Sequence, residues 1–249
     1  MDVSELTKTL SQYSPSVNTT VNNVVSGTKP VALIIITIMF LIEMDSWWKY
    51  MKQEGGGLTG ELWLDVAYKY ILAYILVMMS GQLFDAILEF VNIVLKIIDG
   101  IVPSAKVHWN MKLGKVKGIF FKNFFDLFGG SVMFIAGLST KLIVLMRALE
   151  MYLLKAVSPL LIAFFMADST RPIAINVMKH FGVAAFQAIL VLLIVRFYPS
   201  LVTDDLLKVN SSGLLETWVN AFAAIGKGII FIILLWGSQR KAKALLGAM

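Results

Sequence analysis

The chain has 249 residues, 58% of them hydrophobic and 15% charged, with a formal net charge of +6. A soluble domain carries about 25% charged residues, and several apolar runs here approach the roughly 20 residues that cross a hydrocarbon core; the chain reads as an all-α, polytopic membrane protein. The ten-residue alternation of barrel strands is missing. The lack of cysteine excludes disulfides, thiolate metal sites and a cysteine nucleophile, and two histidines do not supply a histidine-rich metal centre.

Residues 1–29 are polar and rich in Ser, Thr and Asn, with no basic n-region and apolar core of a cleavable signal. The first apolar segment is therefore expected to stay as an anchor. It is predicted over Pro30 to Trp48, with Pro30 at the helix N-terminus and Trp47, Trp48 and Tyr50 as an interfacial belt. Gly55, Gly56 and Gly57 mark a turn.

A second segment is predicted from Glu61 to about Ile98, changing character after Gly81. There Gln82, Asp85, Glu89, Asn92 and Lys96 recur every three or four residues, one polar stripe opposite Leu83, Phe84, Leu88, Val91 and Leu95. Two readings stand side by side: an amphipathic helix with its polar face in water, or a face that lines an aqueous path or subunit junction. Gly100 and Pro103 end the segment. In the loop up to Lys122, Lys106, Lys112, Lys115, Lys117 and Lys122 lie with His108 and Trp109 and no acid. Such a cluster suits anionic headgroups or a phosphate backbone with a stacked base.

The third segment is predicted over Phe124 to Leu154, with Lys141 mid-helix and Arg147 and Glu150 three apart, a pairing distance on one face. Lys155 follows, and Pro159 is expected to break or kink the chain. Leu160 to Ala167 is then an apolar stub. A fourth segment covers Pro172 to Tyr198, with Lys179 and His180 near one end and Gln187 near the middle. The fifth, Leu214 to Trp236, places Glu216, Asn220 and Lys227 on one face and a small-residue pair at Ala224 and Gly228. Intramembrane charges persist only where they face protein, water or a substrate path, so Arg147, Glu150, Lys155, Lys179, Gln187 and Lys227 are candidate functional residues.

Arg240, Lys241 and Lys243 assign the tail after residue 238 to the cytoplasm. The expected organisation is an extracytoplasmic polar segment 1–29, a transmembrane region 30–238 and a basic cytoplasmic tail 239–249. Five spans leave the lysine-rich loop outside; counting Met151 to Ala167 as a sixth puts both termini and the loop inside, in line with the positive-inside tendency. The chain has no GxxxxGK[ST], HExxH or GxSxG, so neither an ATP-hydrolysing motor nor a hydrolase is expected, and no cofactor.

The order of Arg147 and Glu150 ending a long span, Ser158-Pro159 shortly after, Lys179 and Phe181 opening the next span and Gln187 within it resembles the TrbL-type conjugal transfer proteins. These are the polytopic inner-membrane components of type IV secretion systems, related to the sixth protein of the agrobacterial Vir apparatus. The likeness covers about Phe124 to Phe197; this chain lacks the long hydrophilic C-terminal extension of many members. It implies a non-enzymatic platform in a bacterial or archaeal inner or plasma membrane. That platform would assemble as a homo-oligomeric ring and contact lipid, pilin subunits, other inner-membrane secretion proteins and transferred DNA. A small-solute transporter or channel is the alternative.

Overall fold

The computed structural model describes residues 5–54, 60–102, 119–202 and 214–248, and all regular structure among them is helical. Seven α-helices follow in order: α1 Leu10–Tyr13, α2 Pro15–Glu54, α3 Gly60–Met78, α4 Ser80–Ile101, α5 Ile119–Ile162, α6 Arg171–Leu201 and α7 Leu214–Leu246. A 3₁₀ turn, Ala163–Phe165, extends α5. Among the described residues three helices are long and apolar enough to cross a membrane, Pro15–Gln53, Leu127–Phe165 and Arg171–Pro199. The α3–α4 pair, bent by 70°, makes a fourth if taken as one span.

The helices run further than the apolar pattern implies. With 40 and 44 residues, α2 and α5 are about 60 and 66 Å long, twice a hydrocarbon core of about 30 Å. Pro30 does not start a helix; it lies inside α2, which begins at Pro15. Buried Val21, Val25, Ala32 and Ile36 continue one packed stripe past it and hold the helix together where the proline removes a bond. The polar segment 1–29 is thus largely helical, and Leu6 and Leu10 are buried. α1 opens with a reciprocal cap, in which Thr9 Oγ1 accepts from Gln12 N–H at 3.3 Å and Gln12 Oε1 from Thr9 N–H at 3.1 Å.

Pro159 likewise fails to break α5, which continues to Ile162. A proline deprives the carbonyl four residues earlier of its amide donor, here that of Lys155. The Ser158 hydroxyl takes the vacant place, donating to the Lys155 carbonyl at 2.7 Å. Met151 to Ala167 is therefore the end of α5 plus the 3₁₀ turn, with no separate sixth helix. The expected second segment is conversely two helices, interrupted at Met79. The tail after residue 238 continues α7 to Leu246. Gly247, at φ 60, and the Ala248 N–H to Lys243 carbonyl bond at 3.1 Å close it, the left-handed C-terminal turn that glycine favours.

The chain divides into two compact units. The first holds the N-terminal residues up to Thr7, Ile93–Arg147 and Phe186–Ala242. Within it α7 packs against α5 at Gly228, where an added Cβ would overlap the Val132 side chain. The second holds Lys8–Asn92, Ala148–Ala185 and Lys243–Met249. In it α2, α3 and the 3₁₀ turn pack together, and Phe84 meets Phe181 edge-on, with ring centroids 4.5 Å apart, both rings fully buried.

Candidate functional site

α4 has three faces. Phe84, Leu88, Val91 and Leu95 are buried, Phe90, Ile93 and Ile97 are exposed and apolar, and Gln82, Asp85, Glu89 and Lys96 form the exposed polar arc. Asn92 departs from that arc: it is only 5% exposed, and neither its amide nitrogen nor its oxygen has a partner among the described residues. The Ser80 hydroxyl, at the start of α4, is also buried without a partner among the described residues.

The structure joins two residues that the sequence reading kept apart. Lys155 of α5 is 1% exposed and reaches Asp85 of α4, with Nζ 2.7 and 2.8 Å from the two carboxylate oxygens. Its stem passes over Gly81, where Cε would lie 3.9 Å from an added Cβ. Burying an ammonium is tolerable only when it is paired, and Asp85, 54% exposed on its open side, supplies the pairing.

Other candidates have their own surroundings. Arg147, 4% exposed, donates to the Leu6 carbonyl at 3.1 Å; Glu150 is half-buried. Gln187 donates to the Ser238 hydroxyl at 3.1 Å, and Ser238 to the Leu235 carbonyl at 2.6 Å, tying α6 to α7. The carbonyl of Lys227 accepts the Tyr198 hydroxyl. Lys179 is exposed and forms no ion pair among the described residues. Arg196 pairs with Asp99. Lys106, Lys112, Lys115 and Lys117 lie outside the described residues, and Lys122 is in the first turns of α5.

A second constellation escaped the sequence reading. Lys69 of α3 lies 2.9 Å from Asp168, 3.1 Å from Asp65 and 3.4 Å from Glu43, so its three donors meet three carboxylates. Glu43 on α2 also accepts from Trp47 Nε1 at 3.2 Å and from the Asp168 N–H at 3.3 Å. Arg171 completes the clamp at 2.7 Å from Asp168 and stacks over Phe165, 5.0 Å from the ring centroid. The Lys69 hydrogen bond holds the Asp168 carboxyl below the usual carboxylate range, against the upward push of burial; the charges of Lys69 and Arg171 add to the lowering. These contacts fasten α2, α3 and the 166–170 turn at one level. The apolar stretches of α2, α5 and α6 end or begin there beside Trp47, Trp48 and Tyr50. Among the described residues no group of His, Cys, Asp and Glu could hold a metal ion.

Helix length and hydropathy make this a multi-pass, all-helical membrane protein. Compared with protein-family models, curated proteins and solved structures, the chain matches none.

Proposed function

We propose that the chain is a membrane platform subunit of a type IV secretion or conjugation machine, moving DNA or protein across an inner membrane as a ring of several copies. The observation that carries this reading is the burial of Arg147, Lys155 and Gln187 in the resembling stretch, where Lys179 is exposed. Arg147, Lys155 and Gln187 each turn into protein and bind a carbonyl, a carboxylate and a hydroxyl. Polar groups placed this way at membrane depth serve assembly or a path, whereas lipid-facing charges would each cost about 2.5–3.5 kcal/mol.

Five crossings accord with the interfacial clamp. In this reading the apolar stretches of α2 and α5 end, and those of α3 and α6 begin, at the level of the clamp, whereas a sixth span before the α5–α6 turn would put that turn at the opposite surface. α2, the bent α3–α4 pair, α5, α6 and α7 then cross in turn. Arg240, Lys241 and Lys243 then follow the last crossing, on the side that the positive-inside tendency makes cytoplasmic. The N-terminus and the lysine-rich loop face outside, where the loop meets headgroups, pilin or the moving strand.

A small-solute transporter is the second reading. It draws on the break at Met79, since discontinuous helices with nearby buried polar groups build transport sites. In-cell photocrosslinking separates the two. A probe at exposed Phe90 or Phe134 that captures further copies of the chain, together with pilin or other secretion-system proteins, supports the platform. A purely monomeric protein with none of those adducts contradicts it.

A further inference from the structure

In the five-span reading proposed above, the α5–α6 turn and the Glu43–Lys69–Asp168 clamp lie at the membrane surface, and that sets the depth of the Asp85–Lys155 pair. Lys155 precedes Phe165, the last residue of the apolar stretch, by ten positions, about 15 Å of helix. That is half of a hydrocarbon core of about 30 Å. The pair thus sits near the bilayer midplane, yet the Asp85 side chain is 54% exposed. Glu89 follows one turn later, about 6 Å along α4. It too lies at hydrocarbon depth, exposed and with no ion pair among the described residues. Gln82 is exposed on the same arc, while Phe90, Ile93 and Ile97 occupy a separate exposed face. An interfacial helix with its polar side among headgroups does not satisfy this depth. Lipid contact is excluded by the carboxylates, which remain at the midplane only beside water or a partner. Buried Asn92 lies on the Asp85 side of α4, and its amide has no hydrogen-bond partner among the described residues.

We infer that the Gln82–Asp85–Glu89 arc of α4 faces water inside the membrane, in a path that favours small hydrated cations. Lys155 neutralises Asp85, so the arc keeps one net negative charge per copy, that of Glu89. Repeated around an assembly, that charge forms an acidic ring, the arrangement that selects cations. Lys96 lies two turns beyond Glu89 and marks the far end of the acidic zone. One chain leaves the arc open, so neighbouring copies complete the path; in that respect the inference rests on the ring proposed above.

The cysteine-free sequence permits a direct test in reconstituted liposomes. Single cysteines at Gln82 and Glu89, with Ile93 and Ile97 as controls, are exposed to membrane-impermeant methanethiosulfonates carrying a trimethylammonium or a sulfonate. Variants are accepted when they elute at the wild-type volume. Positions 82 and 89 are expected to react and the controls to stay silent. Local attraction of the cation should make the trimethylammonium reagent about tenfold faster at position 82, and Glu89→Gln should erase that preference. Silence at 82 and 89 overturns the water-facing arc. Equal rates for the two reagents at 82 overturn the cation preference. Neither readout depends on secretion activity, so failure here is separable from failure of the platform reading.

Discussion

Removing one partner of the Asp85–Lys155 pair should have unequal effects depending on which is removed. Asp85→Ala leaves an ammonium that is 1% exposed without its carboxylate. A fully buried pair broken in this way loses about 3–5 kcal/mol, and an exposed one less than about 1 kcal/mol. Asp85 is half-exposed, so water screens part of the pairing and the expected loss falls between those limits. Lys155→Met removes the buried charge itself, keeps most of the stem packed over Gly81, and leaves a carboxylate that water can solvate from its open side. Its loss should be the smaller. Combining the two should be no worse than Asp85→Ala alone, because the stranded ammonium is gone. Thermal unfolding of detergent-solubilised protein gives the ordering, with about 2–4 °C of midpoint per kcal/mol for a chain of this size. The reasoning fails if Lys155→Met is the more damaging single change, or if the double loss equals the sum.

Three further outcomes are expected. Ser158→Ala strips the Lys155 carbonyl of the hydroxyl that replaces the proline's missing donor, a loss of about 1–3 kcal/mol for a buried unmet group, measured as a lower midpoint; an unchanged midpoint would mean that the carbonyl finds another donor. Gly228→Ala should lower the midpoint through overlap with Val132, by the roughly 1–3 kcal/mol of an overpacked contact, and Val132→Ala should restore it. The clamp gives a pH dependence of known sign: the folded-state pKa of Asp168 is lowered, so its contribution is present above the unfolded value of about 4 and is lost as acid takes the carboxyl below that range. Midpoints followed from pH 6 to pH 3 should fall less steeply in Asp168→Asn than in wild type, and identical slopes would remove the clamp from the account.

The sequence made the helical class legible, because apolar runs of membrane length need no tertiary information. The α4 stripe was equally plain from its period. Its three-sided division was not: whether Asp85 or Asn92 meets protein depends on what packs against α4. Proline was the main source of error. Pro30 reads as a helix start and Pro159 as a break or kink, yet packing of Val21, Val25, Ala32 and Ile36 carries α2 through the first, and one hydroxyl repairs α5 at the second. The clamp was hidden for another reason. Lys69 meets Glu43 and Asp168 across 26 and 99 positions of sequence, and such pairings have no local signature. Lys155 and Asp85 were each conspicuous, but only folding pairs them. Asp99 and Arg196 attracted no notice separately.

The platform reading is tested most directly in a donor cell that carries the gene. Its in-frame deletion should abolish transfer of the mobile DNA or secreted protein, and a plasmid copy of the wild-type gene should restore transfer, while growth and uptake of small solutes stay unchanged. Wild-type transfer frequency in the deletion strain, with loss of a solute uptake activity instead, would contradict the platform and favour the transporter.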